Sequence, residues 1–143
     1  MSYYVKNYMR KEFSTIEENV SVSEAAKKMK APRIGFMIVL KNGQPEGIVT
    51  ERDFVYKVLA KGLDAKKILI EEIMSSPLLT ADPDEDLLKA AELMHKNNIR
   101  RLPVVRDGII YGVLTSWDVS LHCIDYVNKS TKDILRWATP FRV

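Results

Sequence analysis

Two four-residue strings in this chain carry side chains that can do chemistry at a fixed spacing: Thr50-Glu51-Arg52-Asp53 and Thr115-Ser116-Trp117-Asp118. Each follows an apolar run that opens on glycine, Gly47-Ile48-Val49 and Gly112-Val113-Leu114. A threonine three residues before an aspartate can start a helix, the hydroxyl capping a free backbone N–H and the carboxylate answering at N3. An aspartate at that place can equally accept both hydroxyls of a ribose, while backbone N–H groups at the helix start hold a phosphate. The two readings are compatible. Serine, asparagine and aspartate cap as well as threonine, so identical pairs in both places favour a role beyond capping. Arg100 and Arg101 stand just before Leu102-Pro103-Val104-Val105. They are either solvated surface or a rigid donor fork for phosphate.

The elements that position these residues are duplicated. Offsetting the chain by 65 residues aligns Val5 to Phe54 with Ile70 to Val119 without a gap. Identities include Met9/Met74, Thr15/Thr80, Ala25/Ala90, Met29/Met94, Gly43/Gly108, Gly47/Gly112, Thr50/Thr115 and Asp53/Asp118. Such a match is a tandem duplication.

Each copy reads as strand, helix, two strands, helix. Phe13-Ser14-Thr15 and Leu78-Leu79-Thr80 are the predicted first strands. Val22, Ala25, Ala26 and Met29 then recur at helical spacing, as do Leu87, Ala90, Ala91 and Met94. Ser21 with Glu24, and Asp86, supply the helix starts. Strands are expected at 36–40 and 47–50, then at 102–106 and 109–115, around the tight-turn pairs Asn42-Gly43 and Asp107-Gly108. Pro45 marks an edge strand. The second helices are expected from Glu51 to Ala60 and from Ser116 to Val127. The turns at Val5 to Met9 and Ile70 to Met74 are read as leading into the first and second copies respectively. The expected organisation is a first repeat at 5–60, a linker at 61–69, a second repeat at 70–127 and an extension at 128–143. Neither half buries much alone, so the fold class is α/β of the α+β type, two repeats packed about a pseudo-twofold axis.

Composition narrows the function. The chain has 143 residues, 46% hydrophobic and 29% charged, which describes a folded domain. A net charge of +3 is too small to announce a nucleic-acid binder. No run of roughly 18 apolar residues exists to cross a membrane, and the N-terminus lacks a signal peptide's apolar core, so a cytoplasmic location is expected. One cysteine and two histidines make a poor metal site, and none is expected. No local nucleophile set or glycine-rich phosphate loop is present, so the chain is read as not an enzyme.

The duplicated series, with Leu102-Pro103-Val104-Val105, Asp107-Gly108, the Gly112 to Asp118 string and its partner from Gly43 and Gly47 to Asp53, resembles a tandem pair of CBS domains, often called a Bateman module. The resemblance covers about residues 5 to 127. It implies a sensor of adenosine-containing ligands, AMP, ADP or ATP first and S-adenosylmethionine or NAD after them, with no required cofactor. It further implies that Asp53 and Asp118 bind ribose hydroxyls, that Thr50 and Thr115 contact the sugar-phosphate, and that backbone near Thr15 and Thr80 reads adenine. Arg100, Arg101 and Arg52 would reach phosphate. A homodimer, a disc of four repeats, and a separate regulated protein are the implied partners.

The copies also differ. Ile38 faces Pro103 in the alignment, Gly35-Phe36 face Arg100-Arg101, and Trp117, beside Ser116, stands where the first copy has Arg52. The basic supply is one-sided and the two ligand sites should be unequal. The alternative reading is a dimeric interaction module whose clefts are structural. Phe54, Val58, Val119 and Tyr126 are the expected dimer seam; the tail from Asn128 is expected to pack on its own module, or, in the alternative reading, to capture the partner.

Overall fold

The computed structural model describes residues 3–30 and 34–122. In the first repeat, β1 (Thr15–Glu17) pairs in parallel with β2 (Phe36–Lys41), and β2 pairs antiparallel with β3 (Gln44–Thr50). Helix α1 (Val22–Lys30) connects β1 to β2. Its start is capped by Ser21, whose Oγ accepts the Glu24 N–H at 3.2 Å. Asn42 and Gly43 both take positive φ, which lets the β2–β3 turn close in two residues. Pro45 lies in β3, an edge strand as its missing N–H requires, beside a register shift between Val39 and Leu40.

Helix α2 (Glu51–Phe54) follows β3 without a loop and continues as a π-helical turn at Val55–Leu59. Val58 is buried in the first core and Phe54 packs against that core, so neither forms the free seam read from the sequence. Val55, Tyr56 and Leu59 are the exposed residues instead. Val119 likewise packs on the second core. Tyr126, the end of the second repeat and the extension at 128–143 lie outside the described residues.

The second repeat contains α3 (Leu87–Lys96), capped by Asp86 Oδ1 on the Leu88 N–H at 2.9 Å, and the hairpin β4 (Arg101–Arg106) and β5 (Ile109–Thr115). A further helix starts at residue 116 and is described as far as 122. The strand expected at Leu78-Leu79-Thr80 does not form. Ala81 alone bridges to Val104. In the first repeat the Ile38 N–H donates to the Ser14 carbonyl at 3.0 Å. Pro103 occupies the matching place and has no N–H for Leu79, so the ladder ends there.

The two repeats exchange their leading turns. The 3-10 turn Ile70–Glu72 puts Ile70 and Ile73 into the first core, beside Val22, Met37 and Val49. The turn Val5–Asn7 puts Val5 into the second core, beside Leu87, Leu102 and Leu114. Each turn therefore packs into the core of the repeat other than the one it precedes in sequence. The exchange also satisfies helix starts. The Val22 N–H donates to the Ile68 carbonyl, and the Leu87 N–H to the Tyr3 carbonyl, each at 2.8 Å. Two-way bonds then stitch Ser75 to Ile48 and Arg10 to Val113. The reciprocity of these contacts is that of two units related by a twofold rotation.

Gly47 and Gly112 make this stitching possible. A Cβ on Gly47 would lie 2.6 Å from the Ser75 carbonyl oxygen, and one on Gly112 would lie 2.4 Å from that of Arg10. What approaches these glycines is the chain itself. Outside, Lys6 pairs with Asp84 at 2.7 Å and Arg106 with Asp82 at 2.6 Å, tying the first turn to the second repeat. Lys6 and then Arg106 hold the Asp84 carboxyl down to about 2.

Candidate functional site

Both Thr-x-x-Asp strings sit where a β-strand turns directly into a helix. Thr50 and Asp53 form a complete capping box. The Thr50 hydroxyl accepts the Asp53 N–H at 3.4 Å, and Asp53 Oδ2 accepts the Thr50 N–H at 2.8 Å. The Asp53 Oδ1 atom takes Lys57 Nζ at 2.9 Å from one turn further on, and Lys57 also donates to the Ile73 carbonyl at 2.7 Å. In the second repeat the Thr115 hydroxyl donates to Asp118 Oδ2 at 2.6 Å and accepts the Asp118 N–H at 3.1 Å. Capping is thus real in both places.

The carboxylates face different surroundings. Asp53 lines a cleft of about 420 Å³ between the repeats. One wall is Thr50, Arg52, Tyr56 and Lys57 from the first repeat; the other is Pro77, Leu78, Leu79, Asn98, Arg100, Arg101 and Pro103 from the second. The Arg52 guanidinium lies 5.7 Å from the centre of the Tyr56 ring. The lining combines apolar side chains, Pro77, Leu78, Leu79 and Pro103, with the cations Arg52, Lys57, Arg100 and Arg101 beside a helix start, a combination suited to a flat apolar group joined to an anion.

Asp118 is the buried charged residue among those described. Arg10 reaches it from the leading turn, Nε to Oδ2 at 2.9 Å and Nη2 to Oδ1 at 3.1 Å. Burial pushes the Asp118 carboxyl up, but hydrogen bonds from Arg10 and Thr115 outweigh it and the net shift is downward. The same hydrogen bond raises the Arg10 guanidinium. A second cleft of about 510 Å³ lies alongside, lined by Arg10, Gly35, Phe36, Arg100, Arg101, Thr115, Ser116, Trp117 and Ser120. Asp118 does not line it.

Of the residues singled out from sequence, Thr50, Arg52, Asp53, Arg100 and Arg101 meet in the Asp53 cleft, and Thr115, Ser116 and Trp117 meet in the other. Arg100 and Arg101 line both, so the arginines of the second copy serve the aspartate of the first. Burial lowers the Arg101 pKa, with Glu51 opposing that shift. Its guanidinium lies 5.0 Å from the centre of the Phe36 ring, the residue that the duplication aligns with it. Thr80 is exposed and lines neither cleft; the stretch just before it does. Thr15 lies in β1, its carbonyl accepting from Lys28, and also lines neither. Sequence reasoning missed Arg10, Lys57 and Ser75. The signal was available: Lys57 is one helical turn from Asp53, and the repeat register pairs Arg10 with Ser75.

Comparison with known proteins decides the family. The model of the CBS domain matches residues 5–60 and again residues 70–124. The chain belongs to the CBS-domain family. It is a tandem CBS pair, a Bateman module, and that membership carries a regulatory, ligand-sensing role in general. The CBS domain-containing protein YhcV of Bacillus subtilis is 31% identical over 118 residues, 82% of this chain and 84% of that protein. The mitochondrial CBS domain-containing protein CBSX3 of Arabidopsis thaliana is 34% identical over 104 residues, 69% of this chain. The chain spans 50% of that protein's length, and 57% of a 35% identical protein from Methanopyrus kandleri. Among solved structures, a hexameric CBS-CP12 protein from bloom-forming cyanobacteria superposes with a TM-score of 0.77 at 29% identity, covering 93% of this chain and 81% of that one. A conserved protein from Pyrococcus horikoshii gives 0.77 at 27% identity, covering 86% and 93%. Among the described residues, no helix of this CBS pair is long and apolar enough to cross a membrane, and no cluster of metal-binding side chains is present.

Proposed function

We propose that this CBS pair is a sensor that binds an adenosine-containing nucleotide, AMP, ADP or ATP, in the Asp53 cleft and signals to a separate protein. The observation that carries this reading is the mixed lining of that cleft. Asp53 and Thr50 stand at a helix start, Arg52, Arg100 and Arg101 supply charge for phosphate, and Pro77, Leu78, Leu79 and Pro103 offer an apolar wall for a base. Pro103 adds to the last feature. With no β4 N–H to pair with, the backbone at Leu79 stays out of the sheet and on the cleft wall.

Calorimetry of AMP, ADP, ATP, NAD and S-adenosylmethionine against the intact chain tests the class. Binding of an adenine nucleotide is expected, with 2′-deoxy forms weaker. Asp53→Ala should cost about 1.5–3 kcal/mol, the worth of hydrogen bonds to a charged group, or roughly ten- to a hundredfold in Kd. Heat from none of the five overturns the reading.

A second reading, pairing of two modules, is favoured by Val55, Tyr56 and Leu59, which lie exposed along one turn of helix, and by exposed Leu121 on the matching helix. Sedimentation equilibrium is expected to give a mass near twice 16.4 kDa. A mass near the single value at tens of micromolar overturns it, and Leu59→Ala should shift a dimer toward monomer.

A further inference from the structure

The two aspartate strings of one chain provide their own control, because the 65-residue duplication gives each residue of one a counterpart in the other. We infer that Arg10 closes the Asp118 site to a ribose, so that the chain takes one nucleotide, in the Asp53 cleft. This inference rests on the nucleotide reading above and adds the stoichiometry and the residue that sets it.

Arg10 and Ser75 occupy equivalent places. Each precedes its copy's first predicted strand, and each is stitched by two backbone bonds to the strand that ends at the opposite aspartate string. Ser75 has a short side chain and lines the open cleft. Arg10 has a long one, and its fork takes both oxygens of Asp118. A ribose diol would have to displace that fork. It would replace two hydrogen bonds from a cationic donor with two from neutral hydroxyls and separate the guanidinium from its counter-charge. Asp53 makes no such demand. Lys57 holds only Oδ1, comes from the same helix, and keeps the Ile73 carbonyl as a second acceptor. One further difference acts in the same direction: Trp117 replaces Arg52, while Arg100 and Arg101 line both clefts and favour neither.

The experiment is calorimetric titration of AMP, with ATP as a second probe, into four proteins: wild type, Arg10→Ser, Ser75→Arg, and Arg10→Ser combined with Asp118→Ala. Circular dichroism confirms that each is folded. Wild type should bind one AMP per chain. Arg10→Ser should bind two, the added one weaker, and the double variant should return to one. Ser75→Arg builds the same closure against Asp53 and should lose the wild-type site; it carries the test alone if Arg10→Ser fails to fold. Two AMP per wild-type chain, or an Arg10→Ser protein that still binds one while Ser75→Arg binds normally, overturns the role of Arg10 and leaves the nucleotide reading intact. Absence of heat with wild type and with Arg10→Ser overturns both.

Discussion

The Asp53 and Asp118 strings have the same ancestry in sequence and similar capping, yet one presents its carboxylate to a cavity and the other presents it to an arginine. The capping bonds are near copies, Thr to Asp in both repeats. The largest difference arises outside the motif, at Arg10 against Ser75. A four-residue string places an aspartate; residues arriving from the other repeat decide what that aspartate can meet. The cores teach the same lesson, since each is completed by a turn from the other copy's leading segment.

The largest effects come from breaking the exchange. Ile70 is fully buried in the first core, so Ile70→Ala should cost about 2–4 kcal/mol. Because Ile70 belongs by sequence to the second copy, both halves should unfold together. Urea transitions followed by circular dichroism and by tryptophan fluorescence, whose sources Trp117 and Trp137 both lie in the second half, should coincide. Separate transitions would show that the halves are independent.

Next come the glycines under the stitches. Gly112→Ala and Gly47→Ala each force a carbonyl to move and should cost about 1–3 kcal/mol by thermal melting, with Gly112→Ala the more severe because its contact is tighter. Only Gly47→Ala should also weaken AMP, because Ser75 lines the open cleft. Equal loss of AMP affinity in both would erase the distinction between the clefts.

Smaller is the ion pair itself. Arg10→Ala leaves a buried carboxylate without its partner, but the Arg10 side chain is 54% exposed, so a loss of about 1–2 kcal/mol is expected. Ser75→Ala should stay within about 0.5 kcal/mol. The smallest effect is a slope. The Asp118 pKa is lower folded than unfolded, so the unfolded chain takes up the proton first. Its contribution is complete above about pH 4 and is lost as pH falls through the folded value. Asp118→Asn should flatten that part of the stability profile. Asp82 and Asp84 titrate in the same direction, so the measured quantity is the difference between wild type and variant. An unchanged slope would show that Arg10 and Asp118 are uncoupled in solution.

Most of the fold was legible in the sequence because periodicity reports one element at a time. Helices α1 and α3, the hairpins and their turns follow from local residues such as Ser21, Asp86 and the Asn42-Gly43 pair. Three features were not legible, for different reasons. The leading turns are apolar and short, and nothing local says which core receives Ile70. The missing strand at Leu78 depends on a donor that Pro103 lacks, a fact about a residue twenty-five positions away. The burial of Val58 follows from the face it shares with Phe54, one turn earlier, which packs on the first core; spacing alone does not say whether that face meets its own core or a second molecule. The Thr and Asp residues that cap the helices after β3 and β5 were read from spacing alone. Arg10 was passed over because a single arginine before a strand carries no pattern until the fold lays it on Asp118.

Arg101 lying over the ring of Phe36 has a meaning for how this module can vary. In an assembly of two identical repeats, a residue beside the symmetry axis faces its own duplicate. Arginine would meet arginine there, and phenylalanine would meet phenylalanine. Joining the repeats in one chain removes that constraint, because the two positions are then encoded separately. A cation resting on an aromatic face becomes available at the axis, and with it two sides that need not respond to the same molecule.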